Sequence, residues 1–455
     1  MSSHDPHHSR RRHTSGAPLA LLALSLVAAS CSRTPITAPA SSAPAGRGSP
    51  GALPHSLSTS ETIGDIDGQF VLALAPGTDA AQIAAQLGAT LLDVQEGIAV
   101  FQRPAGDPID VEVDTKNDPG VLSSEDNTLA MPAEARQKSW AFDDGLGSYS
   151  ACVGQPASYS LGLSAAHAVS QGAGVLVAVL DTGIDPTHPL FAGRIAGGWD
   201  FVDNDADPTD VRTGLDLNGD GVPDGSYGHG THVAGIVALT APRAQLLIVR
   251  VLDSEGRGDV KSVAAGIRWA TANGARVINL SLGMLRASNA VGIAIAEARM
   301  RGVVCVAAAG NDGAASPQEY PASNNQTIAV AASDPTGTPT SWTSYGSFVD
   351  LCAPGVAIRS AYPGGGYVLW SGTSMSAPFV AGTAALLLSL HPDWGLDQVM
   401  TRVRASVRPL IGASLAQAGG LGTGILDVRG SLQDDIQPID VTDQQADPSA
   451  GSTTP

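Results

Sequence analysis

The sequence predicts an α/β fold: a large domain around a mainly parallel central sheet, preceded by a small α+β domain. Three observations carry this. From about residue 175 to 390, short apolar runs alternate with longer helix-like segments, the pattern of a parallel sheet with crossover helices. Runs such as Val175-Leu-Val-Ala-Val-Leu180 and Val303-Val-Cys-Val-Ala-Ala308 are continuous rather than alternating, as strands covered on both faces are. Hydrophobic residues make up 43% of the 455 residues and charged ones only 15%, enough apolar side chain to bury a large core.

Residues 1–31 read as a leader. His4, His7, His8 and Arg10–Arg12 give it a polar, basic start, and Pro18–Ala29 is apolar but too short to span a bilayer as a mature helix. It ends in Ala28-Ala29-Ser30-Cys31, which resembles a bacterial lipobox with Cys31 as the lipidated residue. Ala stands where Leu is usual, so a plain secretory cleavage beside an incidental cysteine is the second reading. Export to the cell envelope or medium, with membrane attachment through Cys31, is the expectation. Residues 32–62, rich in Pro, Ser, Ala and Gly, cannot bury enough surface to fold and form a flexible linker.

Residues 63–104 hold the small domain. Gln69–Leu74 is a strand pattern, Asp79–Leu87 a helix with Ile83, Ala84 and Leu87 on one face, and Ala89–Val94 and Ile98–Phe101 are further strands. Residues 105–155 are polar and read as an irregular junction. The large domain occupies 156–432, with strands expected at Val175–Leu180, Leu246–Val251, Arg276–Leu280, Val303–Ala308, Thr327–Ala331 and Phe348–Leu351. Helices are expected at Gly230–Ala238, Val260–Ala272, Asn289–Arg301, Met375–Leu390 and Val399–Ser406. The acidic, aperiodic 433–455 reads as a disordered tail.

The chemistry centres on Ser371-Gly-Thr-Ser374-Met-Ser-Ala-Pro378, ahead of a buried helix. Ser374 falls at the helix N-terminus, where free N–H groups favour negative charge; its hydroxyl can attack a carbonyl and its N–H can hold the resulting oxyanion. A serine cap on an ordinary core helix is the bland alternative. A nucleophilic serine needs a base and an orienting carboxylate. Asp181 closes an apolar strand, His229 opens a small-residue helix in Tyr227-Gly-His-Gly-Thr-His232, and Asn311 follows another buried strand.

These four stretches resemble, in order, the signature blocks of the subtilisin-like serine proteases, the subtilases. The resemblance runs from near Pro156 to near Leu432 and implies a three-layer subtilisin-like domain. It implies Ser374 as nucleophile, His229 as general base, Asp181 as its orienting carboxylate and Asn311 as oxyanion donor. It also implies that Ser281, Leu282 and Gly283 form a substrate-binding strand edge by backbone pairing. Glu319 aligns with the base of the first specificity pocket and Asp312 with its rim, which would favour a basic or polar residue before the cut bond. By position, the small domain resembles the inhibitory propeptide, so a zymogen processed between about Pro104 and Ala157 is expected, with the chain's own propeptide and peptide substrates as partners.

Calcium is the expected cofactor. Gly198–Thr209, with Asp200, Asp203, Asp205, Asp207 and Thr209, resembles a calcium loop of the thermitase-like branch. Asp216-Leu-Asn218-Gly-Asp220-Gly-Val222-Pro-Asp224 follows the first part of an EF-hand-type loop: side-chain oxygens at alternate positions, a turning glycine, then the Val222 carbonyl. Tyr227 stands where the closing bidentate Glu belongs, with Asp224 as partial compensation. A solvated acidic surface loop is the alternative. Leu190 occupies the place of an Asp that holds tight calcium in many subtilases, and Ala238–Leu247 is short, so that other site is expected to be absent.

Other classes fit less well. A net charge of −18 argues against nucleic acid as a partner. No cysteine sits in a nucleophile setting, and Cys305 reads as a buried thiol in mid-strand. A lipase would favour a Gly-x-Ser-x-Gly elbow, whereas Ser374 lies in Gly-Thr-Ser-Met-Ser. A non-catalytic peptide-binding surface protein on the same fold would require a lost catalytic residue.

Overall fold

The computed structural model describes residues 65–433 except 105, 107–110, 138, 140, 316–317 and 415–416. The leader with Cys31, the 32–62 linker and the tail from 434 on lie outside the described residues.

The small domain comprises β1 (Asp65–Leu74), α1 (Ala80–Leu87), β2 (Thr90–Gln95), β3 (Ile98–Gln102), α2 (Val111–Thr115) and β4 (Val121–Ala130). Asp79 caps α1 by accepting from the N–H groups of Ala81 and Gln82, and Gly88 ends it at φ 63°. The strands lie in the order β2-β3-β1-β4, all antiparallel. Phe70 and Leu72 of β1 face the domain's own core with Ile83 and Phe101. Val71, Ala73, Ile98 and Val100 on the opposite face join the core of the large domain. Both faces of the central strands β1 and β3 are therefore buried.

β4 is a correction to the sequence reading, which took the stretch as irregular. Residues 123–128 are all polar, so no apolar alternation marks a strand. The strand is held by main-chain pairing with β1 and by polar contacts to the large domain. The carboxylate of Glu125 accepts from Ser288 Oγ (2.9 Å) and from the N–H groups of Asn289 (3.0 Å) and Ala290 (2.7 Å), capping a helix of that domain.

After β4 come α3 (Ala133–Gln137) and three short helices, α4 (Tyr149–Val153), α5 (Pro156–Ser160) and α6 (Leu163–His167). The large domain then runs β5 (Leu176–Asp181), β6 (Ile195–Asp200), α7 (His229–Thr240), β7 (Gln245–Arg250), β8 (Gly258–Asp259), α8 (Val260–Ala272), β9 (Val277–Leu280), α9 (Asn289–Met300), β10 (Val304–Ala308), β11 (Ile328–Ser333) and β12 (Leu351–Pro354). A hairpin follows, β13 (Ile358–Tyr362) and β14 (Gly366–Trp370), then α10 (Thr373–Leu390), α11 (Leu396–Ala405) and α12 (Val428–Ser431). The expected strand at Phe348–Leu351 begins only at Leu351, and β6 and the hairpin carried too weak a pattern to be read.

Seven strands form a parallel sheet ordered β12-β11-β10-β9-β5-β7-β6. Alternate residues of β5 explain its continuous apolar run: Val177 and Val179 pack with α7 and α10 on one face, Ala178 and Leu180 with α8 and α9 on the other. This is a three-layer α/β domain. The strand order reverses between β5 and β9, and ligand sites of parallel sheets open at the carboxyl ends beside such a reversal. Asp181 ends β5 and Ser281 follows β9 at that point.

Candidate active site

Asp181 accepts the N–H of Thr182 at Oδ1 (2.8 Å), and the same oxygen lies 2.7 Å from His229 Nδ1. Glycines bring the histidine there. Gly228 caps α7 at φ 86°, in the left-handed region where a side chain is strained, and a Cβ would also meet Tyr362 and Pro363. Gly230 presses against the Gly183 carbonyl, where a Cβ would clash. Asp210, which the sequence reading missed, braces both elements. Its Oδ2 accepts from Thr182 Oγ1 (2.9 Å) and Gly228 N (2.7 Å), while Thr182 Oγ1 accepts from Gly230 N (3.0 Å). Burial pushes the Asp210 carboxyl up to about 7 against those hydrogen bonds.

Ser374 is the second residue of α10 and is fully buried. Asn311 Oδ1 accepts from both Thr373 N and Thr373 Oγ1, each at 2.9 Å, so its amide nitrogen is turned toward Ser374. Asn311 Nδ2 and Ser374 N then converge on one oxygen position, the arrangement an oxyanion requires. Ser281 supports the site from behind: its Oγ donates to the Ser374 carbonyl (2.9 Å). The Leu282 side chain turns into the core, so only its backbone borders the cleft. Gly283 exchanges both main-chain hydrogen bonds with Met131 (3.0 and 2.9 Å).

The converging donors hold a carboxylate that sequence reasoning did not find. Glu134 of α3 accepts from Asn311 Nδ2 (2.9 Å) and Ser374 N (3.3 Å) at Oε1. Its Oε2 accepts from Ser374 Oγ (2.5 Å) and lies 3.7 Å from His229 Nε2. No local signal marks Glu134, which is 240 positions from Ser374. Burial alone would lower His229, but the carboxylates of Asp181 and Glu134 outweigh it and raise it to about 10. Glu134 goes the other way: burial would raise it, yet His229 close by at 3.7 Å and hydrogen bonds from Ser374 and Asn311 hold it below the ordinary carboxylate range.

The flanking chain meets the cleft at several places. Leu129 and Ala130 pair antiparallel with Asp259 and Gly258 of β8, and Met131 with Gly283. Beyond α3, Ser139 O accepts from Trp370 Nε1 (3.0 Å), and Phe142 pairs with Leu369 of β14. Arg136 Nη2 reaches Glu319 Oε2 (2.5 Å) and lies 4.0 Å from Asp312 Oδ2.

The two acidic loops differ. Asp200 and Asp203 both take Arg250 Nη1 (2.5 and 2.6 Å), Asp205 turns its Oδ1 back onto Asp207 N (2.8 Å), and Asp207 binds Thr209 Oγ1 (2.5 Å). In the second loop, oxygens of Asp216 and Asp220 lie within 4.8 Å of each other and of Glu255. Asn218 Oδ1 accepts from Asp220 N (3.0 Å), Val222 N donates to Asp220 (2.8 Å), and Asp224 is spent on Thr213, Gly214 and Ser254. Cys152, Cys305 and Cys352 are free and buried.

A serine at a helix N-terminus, two N–H donors around one oxygen position and an Asp–His pair alongside are the parts acyl transfer uses; fold and site together point to the class of serine hydrolases. The comparisons agree. A profile described as "Subtilase family" matches residues 172–422. Thermitase of Thermoactinomyces vulgaris is 45% identical over 231 residues, 49% of this chain and 77% of thermitase. Subtilisin BL of Lederbergia lenta is 39% identical over 276 residues, 59% of this chain and 93% of that protein. The structure of fervidolysin from Fervidobacterium pennivorans, described as a keratinolytic enzyme related to subtilisin, superposes with TM-score 0.66 at 25% identity. That match takes in 82% of this chain, reaching upstream of the large domain, and 62% of the fervidolysin chain. The chain belongs to the subtilase family and is a serine endopeptidase.

Proposed function

We propose that this chain is the zymogen of an exported endopeptidase that cuts with Asp181, His229 and Ser374 and is held inactive by its own residues 129–142. The observation that carries the reading is the Glu134 carboxylate. It fills the oxyanion position, takes the serine hydroxyl as a hydrogen-bond donor, and leaves His229 Nε2 without the hydroxyl it would have to deprotonate.

Once the latch leaves, a substrate strand pairs with the Gly258 and Gly283 backbones. Ser374 Oγ attacks the carbonyl, His229 Nε2 takes its proton, and Asp181 holds the Nδ1–H and stabilises the cation. Asn311 Nδ2 and Ser374 N hold the oxyanion. His229 then protonates the leaving amine, and water repeats the sequence to free the acyl half. A fluorophosphonate probe should label the matured enzyme and not Ser374→Ala. The intact chain should label slowly, and faster in Glu134→Gln. Active enzyme whose N-terminus lies near Ser32, with the propeptide still attached, would overturn the zymogen reading, because processing between about Pro104 and Ala157 is expected. Labelled palmitate incorporated in wild type and lost in Cys31→Ser would test the anchor.

We also propose calcium at the second acidic loop, as subtilases commonly bind structural calcium. Asp216 and Asp220 would hold it with Glu255, which comes from the loop after β7 and takes the part of the closing carboxylate absent at Tyr227. The fit rests on Asp220 Oδ2 and Glu255 Oε2, both buried without a hydrogen-bond partner. A hard dication supplies what those oxygens lack. In the first loop Arg250 already answers Asp200 and Asp203, so the calcium proposal does not extend there.

A further inference from the structure

We propose that the peptidase selects arginine as the residue whose carbonyl is cut, through a slot floored by Glu319 and rimmed by Asp312. This deepens the peptidase reading above and rests on it. The slot opens on the nucleophile. One wall is Ser281–Gly283, whose Ser281 carbonyl accepts from Ser374 Oγ (3.2 Å). The other is Gly310–Asn311, next to the oxyanion donor. Both walls are glycine where they meet the floor. A Cβ at Gly283 would clash with the Glu319 carboxylate, and one at Gly310 would lie 3.0 Å from Glu319 Oε2. The slot is therefore open, at its floor, to the Glu319 carboxylate, and the long Arg136 side chain reaches that negative charge.

That charge needs a cation. Glu319 is 2% exposed, and an apolar side chain in the slot would leave its carboxylate buried and unpaired, or force it to take up a proton. In the latched chain the requirement is met by Arg136, whose side chain is 4% exposed and bonds Oε2 at 2.5 Å. The occupant comes from α3, out of line for cleavage, yet it reports what the slot accepts. Arginine rather than lysine follows from geometry. Glu319 Oε1 has no hydrogen-bond partner, and Asp312 Oδ2 lies 4.0 Å from the same Nη2. A planar fork entering from an extended substrate can use both Glu319 oxygens, where an ammonium offers a single point of charge.

The test uses peptides that differ only in Arg, Lys, Phe or Leu before the cut bond. They are assayed on matured enzyme with active sites counted by fluorophosphonate. We expect kcat/KM for Arg to exceed Phe and Leu by about 100-fold and Lys by about 10-fold. Glu319→Gln should shrink the Arg-to-Phe ratio at least tenfold, and Asp312→Asn, on the half-buried rim, by a smaller factor. Countable sites that prefer Phe or Leu, or an Arg preference that survives Glu319→Gln, would overturn the proposal while leaving the peptidase reading intact. No labelled site at all would instead sink the peptidase reading.

A binding measurement keeps the slot testable even then. In full-length Ser374→Ala, p-aminobenzamidine should bind weakly while Arg136 fills the slot. Arg136→Met in that background should tighten binding at least tenfold, and adding Glu319→Gln should abolish the gain. Equal binding in all three chains would reject the assignment.

Discussion

His229 and His232 lie one turn apart on α7, both fully buried and both against the ring of Trp370, at 5.2 and 5.8 Å between centroids. Their proton affinities are opposite. Burial lowers both, yet His229 ends at about 10 and His232 at about 3. His229 meets two carboxylates, Asp181 and Glu134. His232 meets the carbonyls of Ile358 (3.0 Å) and Val368 (3.3 Å) through Nε2, and the charge of His229 presses its affinity lower still. Burial makes a histidine neutral only where no carboxylate answers it; partners, not depth, separate the two histidines.

The largest expected effect tests that separation directly. His229→Ala should lower kcat of matured enzyme by about a millionfold, and combining it with Ser374→Ala should cost little more, since triad members act as a unit. The magnitude belongs to subtilisin itself and is carried over by family membership. His232→Ala should lose far less activity and instead destabilise the fold by about 2–4 kcal/mol, through a cavity and two stranded carbonyls. Equal losses of turnover in the two variants would break the comparison. Asn311→Ala comes next, with kcat down by about 100- to 1,000-fold and KM little changed, again a subtilisin magnitude.

Acidity sharpens the contrast through full-length Ser374→Ala, which keeps its latch. His229 is raised above its ordinary 6.5, so its contribution to stability is complete below that value and is lost as pH climbs toward about 10. His232 is depressed, so its contribution is complete above 6.5 and is lost as pH falls toward about 3. Melting temperature against pH should therefore fall on both wings. Glu134→Gln should pull in the alkaline wing by removing one of the carboxylates that hold His229 protonated, and leave the acid wing to His232; an alkaline wing indifferent to Glu134→Gln would deny the ion pair.

The smallest effect concerns the loop that leads into α7. EGTA should lower the melting temperature and reduce turnover, calcium should restore both, and Glu255→Gln should blunt the response. His229, at the first position of the helix, should be loosened more than His232. A melting curve and activity indifferent to EGTA, with no calcium by elemental analysis, would reject the site.

The sequence by itself determined the framework and singled out four polar residues that the fold gathers. Continuous apolar runs mark strands buried on both faces, and Asp181, His229, Asn311 and Ser374 stand at element ends, where a few neighbouring glycines and small residues announce them. Those signals are local, which is why they are legible. Tertiary structure alone decided what meets them. β4 has no apolar period because its side chains cap and pair rather than pack. Glu134 reaches Ser374 across 240 positions. Asp210 ties strand to helix from a loop, Arg250 pairs with two carboxylates of a loop that reads as a cation site, and Glu255 stands beside Asp216 and Asp220 from another segment. A carboxylate looks the same in every sequence. Whether it becomes a brace, a latch or a ligand depends on the charge and donors that the fold sets against it, and those come from parts of the chain that no local pattern connects.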